Sequence, residues 1–328
     1  MSLKRSFVTA ILAIVGSSMI PLLCASARAQ DSPLTLRSDE TNIHILPTVD
    51  LAAELIVPAD SGPLLYNGGP VMPTVTTYAI FWNPPKLQDG TPTSIPAHYQ
   101  AVQKNVLADY PGHSLGNNST QYYQTIGATT TYIQNAGKLG GYYVDTSPYP
   151  PSGCTDSLRP SGCITDAQLQ AEVKKDISKK RWKPVITNMF LVFTAPGEGS
   201  CTDFGCSYTE FCAYHGYITS PGKTIIYANM PYGDLSVCQN PSEPSPNGDP
   251  VADAVASTVT HELTEATTDP LLTAWYTGSG NEIGDLCSYN YGTPTWDVGQ
   301  ANESWNANFY LLQQEYDNHA GDCVQVGP

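Results

Sequence analysis

Past residue 65 the chain alternates short apolar runs with longer segments of helical spacing. Asn67-Gly68-Gly69-Pro70 is a turn signal, and Val71 to Trp82 is β-branched and aromatic up to Asn83-Pro84-Pro85, the pattern of a buried strand. Residues 95 to 109 and 165 to 182 are spaced as helices. In the second, Thr165 stands as cap before Ala167-Gln168-Leu169, and Lys179, Lys180 and Arg181 gather at the C-terminal end, where cations complement the helix dipole. Met189 to Thr194 is a second apolar strand. Phe211 to Tyr232 is a third strand region, clearest at Thr224-Ile225-Ile226-Tyr227. Asp249-Pro250 then opens a helix, with an Asp cap and Pro at the first helical position. Val251, Ala254, Val255, Thr258 and Val259 follow at helical spacing, and Pro270 sets the end near Thr268, because the residue before a proline avoids helical geometry. Mixed strands and helices without an internal repeat predict an α+β fold, a single disulfide-stapled domain with a mixed sheet and a zincin-like metal-site helix.

The first 29 residues read differently. Lys4 and Arg5, the apolar run Phe7 to Val15, and Ala27-Arg28-Ala29 make an export signal with cleavage before Gln30. Gly16, Ser17, Ser18 and Pro21 break the apolar stretch well short of the roughly 18 residues a membrane span needs. Residues 30 to 65 lack cysteine and periodicity and read as an N-terminal arm or pro-segment, which leaves 66 to 328 as the folded domain. Cleavage removes Cys24 and leaves eight cysteines, an even number that in an exported chain reads as disulfides. Eight cysteines allow 105 connectivities, and spacing offers only local candidates, such as Cys154 with Cys163 and Cys287 with Cys323. Cys201, Cys206, Cys212 and Cys238 staple a region between them, the alternative being zinc held by the first three with His215. Charged residues are only 14% of the chain and the net charge is −15. Fifteen Lys and Arg spread along such a chain cannot neutralise a phosphate track, so nucleic acid is excluded as a partner. The 32 aromatic residues exclude a disordered acidic tail.

The chemistry lies on the last helix, in His261-Glu262-Leu263-Thr264-Glu265. Residues 261 and 265 are one turn apart on one face and can ligate one metal ion, with Glu262 beside them where a general base belongs. This is the HExxH zinc-hydrolase arrangement with Glu for the second His. Asn281-Glu282-Ile283-Gly284-Asp285 follows and resembles the second helix of thermolysin-like peptidases, in which the Glu is a zinc ligand and the Asp orients a ligand His. The expected ligands are therefore His261, Glu265 and Glu282, with Asp285 replacing or supporting Glu282, Asp269 behind them, and His215 as an oxyanion stabiliser. Three titratable groups on a small-residue helix built for burial would cost several kcal/mol without a metal or partners. Two carboxylate ligands neutralise a divalent cation, which suits zinc with weak water activation or a harder ion, calcium or manganese, in a structural role. His44, His98, His113 and His319 have no companion motif.

Tyr66-Asn67-Gly68-Gly69-Pro70, the Trp82 strand, Phe211-Cys212-Ala213-Tyr214-His215-Gly216 and the run HELTEATTDPLLTAWYTGSGNEIGDLC from His261 to Cys287 resemble the exordium (phosphate-induced protein 1) family. The resemblance covers roughly residues 66 to 328. It implies a secreted, wall-associated protein without an assigned activity, and the Ala-Arg-Ala-type signal points to a bacterial-type relative. Two functions are weighed on these residues. One is a secreted, zinc-dependent metallopeptidase-like hydrolase acting on peptides or cell-wall polymers, with Glu262 and His215 catalytic. The other is a non-catalytic extracellular or cell-wall binding or signalling protein with a structural ion. A glycosidase needs two facing carboxylates, and no motif places such a pair.

Overall fold

The computed structural model describes residues 37–38, 42–55, 62–239 and 245–328; the export signal expected over 1–29 lies outside them. Residues 34–328 form one compact unit. At its centre is a seven-stranded mixed sheet of β1 (Arg37–Ser38), β2 (Ile43–Pro47), β3 (Val75–Trp82), β4 (Gly137–Asp145), β5 (Asn188–Thr194), β6 (Phe211–Ser220) and β7 (Lys223–Met230). Their spatial order is β1-β2-β6-β7-β5-β3-β4. The run β7-β5-β3-β4 is parallel, while β1, β2, β6 and β7 pair antiparallel. Among the described residues four α-helices accompany the sheet: α1 (Val49–Leu55), α2 (Ala97–Asp109), α3 (Asp166–Lys180) and α4 (Pro250–Thr268). Parallel neighbours need a crossover, and α2 lies between β3 and β4 in the chain as α3 lies between β4 and β5.

Side chains alternate across a strand, so β6 assigns the helices to faces. Tyr214, together with Tyr227 of β7, donates its hydroxyl to Asp166 in the first turn of α3, at 2.9 and 2.7 Å. Its neighbour His215 points the other way, to Glu262 of α4. The α4 side also receives α2: Gln103 donates to the Ala252 carbonyl, and Tyr110, just past α2, meets the Thr264 hydroxyl at 2.8 Å. At its centre the sheet is buried on both sides, which is why β5 carries the unbroken apolar run Met-Phe-Leu-Val-Phe and is buried at every position.

The helix starts follow their caps. Thr165 and Gln168 form a reciprocal capping box on α3, and Asp249 accepts from the Ala252 amide at 3.1 Å to start α4. Every residue of α4 from Ala252 to Thr268 is buried, so the helix has core on all sides. Its threonines remain compatible with that burial by bonding backward, Thr258 to Ala254, Thr264 to Thr260 and Thr267 to Leu263. Asp269 ends the helix by accepting the amides of Thr273 and Ala274. This is a structural use of the carboxylate that the sequence pattern places behind a metal.

The strand region expected over 211–232 is a hairpin, β6 and β7, turning through Pro221 and a left-handed Gly222. Two elements differ from expectation. β4 has three glycines at positions 137, 140 and 141, which hide its alternation. Within the segment read as an arm or pro-segment, β2 is an inner strand of the sheet, paired to both β1 and β6 and buried at all five positions. No helix among the described residues is long and apolar enough to cross a membrane.

Four disulfides close the chain locally: Cys154–Cys163, Cys201–Cys206, Cys212–Cys238 and Cys287–Cys323. The cysteines weighed as zinc ligands are thus paired as disulfides. On chain entropy alone, the 36-residue separation of Cys287–Cys323 contributes about 4 kcal/mol and the 5-residue separation of Cys201–Cys206 about 2 kcal/mol. Urea unfolding of the two Cys→Ser double variants is therefore expected to place Cys287→Ser/Cys323→Ser at the lower midpoint. Glu198 gives a pH test. Burial pushes its carboxyl up to about 8, although Gln88 donates to it at 2.7 Å. A folded pKa raised from about 4.5 makes a contribution that is complete below the unfolded value and is lost as pH rises through about 8. Glu198→Gln should accordingly raise the melting temperature at pH 9 while changing it little at pH 4, as calorimetry at the two pH values would show.

Candidate metal centre

Four separate stretches converge on one flank of α4. His44 of β2 stands directly opposite His215 of β6 in the antiparallel register, so both imidazoles project from the same face with ring centroids 5.7 Å apart. From α4 come His261, Glu262 and Glu265. The segment 281–287 supplies Glu282 and Asp285, and the strand region 310–317 supplies Gln313 and Glu315. All three histidines, together with Glu262, Glu265, Glu282 and Glu315, have no solvent exposure, and Asp285 is 1% exposed.

The contacts are close. His44 Nε2 lies 2.8 Å from Asp285 Oδ2 and 4.0 Å from Glu265 Oε2. His215 Nδ1 lies 3.2 Å from Glu262 Oε2 and 3.6 Å from Glu265 Oε2. Glu282 spans the two imidazoles, at 3.5 Å from His44 Nδ1 and 3.9 Å from His215 Nε2. His261 Nε2 is 3.2 Å from Glu265 Oε1, and the same oxygen accepts the Asp285 amide at 3.1 Å. Two groups have ligand atoms gathered within 4.8 Å of one another: His44, Glu265 and Asp285, and His215, Glu262 and Glu265. Glu265 belongs to both.

His215, His261, Glu262, Glu265, Glu282 and Asp285 are therefore in this cluster, while Asp269 is bonded to the turn after α4, and the arrangement differs from a one-turn chelate on that helix. His261 lies outside both groups. Gln313 Nε2, which donates to the Gly284 carbonyl at 3.0 Å, also sits 2.8 Å from His261 Nδ1. A second N–H of that amide directed at Nδ1 leaves the imidazole proton on Nε2, facing Glu265. Glu262, expected beside the ligands as a base, is itself within a ligand group with His215. Segment 281–287 is a turn ending in a short 3₁₀ stretch, Asp285–Cys287, rather than the helix that its peptidase likeness implied. Gly284 and the Cys287 disulfide break it up, and Gly278 and Gly280 just precede it. Asp285 does orient a histidine, but the histidine is His44.

Sequence reasoning missed His44, Gln313 and Glu315. For His44 a signal existed, since one polar residue in the run Ile43-His44-Ile45-Leu46-Pro47 is forced inward with its strand.

Electrostatics follow from burial. Desolvation pushes Glu262 well above the usual carboxylate range, with repulsion from Glu265 and Asp285 adding to it. Desolvation raises Glu265 too, against the attraction of His261. Glu315 is raised well above its ordinary value by burial, then by Glu265 and Asp285. Asp285 is the exception: burial works to raise it, but His44 and His261 hold it below the ordinary value. His261 is lifted by Glu265 despite its own desolvation.

Residues 227–324 match the phosphate-induced protein 1 conserved region, a stretch that contains every member of the cluster except His44 and His215. The chain is similar to Protein EXORDIUM-like 3 of Arabidopsis thaliana, 31% identical over 157 residues, which are 40% of this chain and 44% of that protein. It is also similar to Protein EXORDIUM-like 5 of the same plant, 44% identical over 52 residues, 15% of this chain and 14% of that protein. The aligned stretches span less than half the length of either relative. No solved structure matches the chain. These likenesses support a relation to the exordium, or phosphate-induced protein, family.

Proposed function

We propose that the chain is a secreted exordium-type protein built around a buried divalent-metal centre, with Glu265 shared between two ligand groups. The observation behind this reading is the donor set itself. Two imidazoles and three carboxylates form two groups that share Glu265, each with its ligand atoms within 4.8 Å of one another and buried from water. Glu262 Oε1, Glu265 Oε2 and Asp285 Oδ1 have no hydrogen-bond partner among the described residues. Leaving such oxygens unsatisfied is expensive. A divalent cation offsets that cost, and mixed nitrogen and oxygen donors suit zinc or manganese. The cluster is also shaped for close approach. A methyl group on Gly284 would come 2.5 Å from His261 Nδ1 and 3.0 Å from Glu265 Oε1.

In this reading His44, Asp285, His215, Glu262 and Glu265 hold metal, His261 and Gln313 fix the Glu265 carboxylate, and Glu282 steadies the two imidazoles. Full burial of the ligands favours a structural ion, because catalytic centres keep one position open. The four disulfides and the family likeness suit an extracellular or cell-wall address.

The hydrolase remains the second reading, favoured by the order His-Glu-x-x-Glu on α4. A bound ion would supply Lewis-acid polarisation of a substrate carbonyl. Glu262, whose carboxyl is raised by burial, would hold and return a proton, with His215 Nδ1 3.2 Å away as its partner. That role requires a path for peptide or wall polymer to reach α4.

Metal analysis by mass spectrometry on the exported protein is expected to find one or two divalent ions per chain, reduced in Glu265→Ala and in the near-isosteric Glu282→Gln. Absence of metal from the native protein would overturn the proposal. Saturating chelator should lower the melting temperature by about 10 °C, the scale set by losing a ligand held at a thousand times its dissociation constant. A peptide library cut by the native protein but not by Glu262→Gln would move the assignment to the hydrolase.

Glycine substitutions give an independent check. Gly284→Ala should lose metal and about 2 kcal/mol or more of stability. Gly278→Ala, which meets nothing within 4 Å, should keep both.

A further inference from the structure

The opposite face of the sheet has a second feature, unrelated to the buried cluster. Between the C-terminal half of α3 and the β6–β7 hairpin lies a surface cavity of about 420 Å³. Its cations come from both sides: Lys174 and Arg181 from the helix, Lys223 from the hairpin. All three are exposed, and no acidic residue is among those lining the cavity. None of the three is ion-paired with a carboxylate among the described residues.

This concentration is unusual for the chain. The net charge is −15, yet six of its 15 Lys and Arg fall between residues 174 and 183. Lys179, Lys180 and Arg181 are accounted for by the helix dipole. Lys223 is not, since it belongs to another element and reaches the same cavity from across the gap. Like charges brought together on two elements, against the sign of the whole molecule, concentrate an anion there.

The rest of the cavity says what kind of anion. One wall is Trp182, its ring held in place by Tyr78 at 4.6 Å between centroids and by Phe190 at 6.0 Å. Beside it are Ile218 and Ile225, and the hydroxyls of Ser178 and Ser220 complete the lining. A fixed, half-buried indole and aliphatic surface match the apolar C–H face of a sugar ring, hydroxyl groups match its hydroxyls, and the three cations match acidic substituents. Basic residues continue past the cavity at Lys179 and Lys180, each within 4.9 Å of the Tyr143 ring centre.

We propose that this cavity binds an anionic glycan, a sugar chain bearing carboxylate or phosphate groups. The test is calorimetric titration of the full exported chain with four polymers: polygalacturonate for carboxylate, phosphomannan for phosphate, dextran as the neutral glycan and polyglutamate as the acidic peptide. Binding to polygalacturonate or phosphomannan is expected, and the arm that binds identifies the source of the charge. That binding should weaken about tenfold in Lys174→Ser/Lys223→Ser, about threefold for each cation removed. The charge-matched control Lys86→Ser/Lys138→Ser should stay within about twofold, because its two exposed lysines lie outside the cavity. Failure of both acidic glycans to bind would overturn the proposal. So would dextran or polyglutamate binding as tightly as they do, or equal weakening in the two double variants.

Discussion

The desolvation of ionisable groups on α4 governs how the rest of the chain must pack. Three histidines and five carboxylates lie in a volume from which water is excluded, and no single element can satisfy them. Each needs a partner from a distant part of the sequence. His44 reaches Asp285 across 241 residues and His215 reaches Glu262 across 47, while Gln313 closes on His261 from 52 residues downstream. The N-terminal strand, the central hairpin and the C-terminal loops are thereby tied to one helix face. Removing a single partner leaves a buried charge uncompensated, which costs more than the pair contributes when whole.

The two sides of the sheet bear this load differently. Toward α3, Tyr214 and Tyr227 present hydroxyls to the Asp166 carboxylate, a neutral-donor arrangement that needs no counter-charge. Toward α4, the next residue of the same strand is an imidazole among carboxylates. Strand alternation in β6 thus separates tyrosine hydroxyls from imidazole and carboxylates, while the α3 side has its own buried carboxylates, Glu172 and Asp176, held with Asp145 beside Lys175. The Cys287–Cys323 disulfide follows directly on Asp285 and pins the turn that bears it to the tail that bears Glu315. Loops with little secondary structure of their own can then hold ligand groups in register.

How much of this was legible in the sequence depends on range. Local signals sufficed for α3, with its Thr165–Gln168 box, and for α4, whose Asp-Pro start and Pro270 limit agree with the observed Pro250–Thr268. They sufficed also for β5 and the hairpin, where continuous burial writes an apolar run. The residues His215, His261, Glu262, Glu265, Glu282 and Asp285 were readable because motifs cluster them, and the structure brings them together. Their division of labour was not readable. Helical spacing makes His261 and Glu265 look like a chelating pair, but Gln313 decides which imidazole nitrogen bears the proton, and nothing near residue 261 foretells Gln313. Glu315 is a single acidic residue in a three-residue strand. β4 was missed because its glycines replace the side chains that would have shown a period of two.

The segment from 30 to 65 brings these points together. Its composition reads as an arm or pro-segment because it has neither cysteine nor sustained periodicity. Among its described elements, β2 is nevertheless the strand on which the cluster depends. β2 lies between β1 and β6, and the register that sets His44 against His215 is fixed by backbone hydrogen bonds from Ile43 to Pro47. A strand slipped by one residue would send His44 to the opposite face and put Ile43 or Ile45 among the carboxylates. Apolar neighbours on both sides of His44 hold that register only if the histidine itself is paired within. The polar cluster and the apolar sheet therefore specify each other. Asp285 keeps an imidazole buried in an otherwise aliphatic strand, and the aliphatic strand in turn delivers that imidazole to a helix more than 200 residues away in sequence.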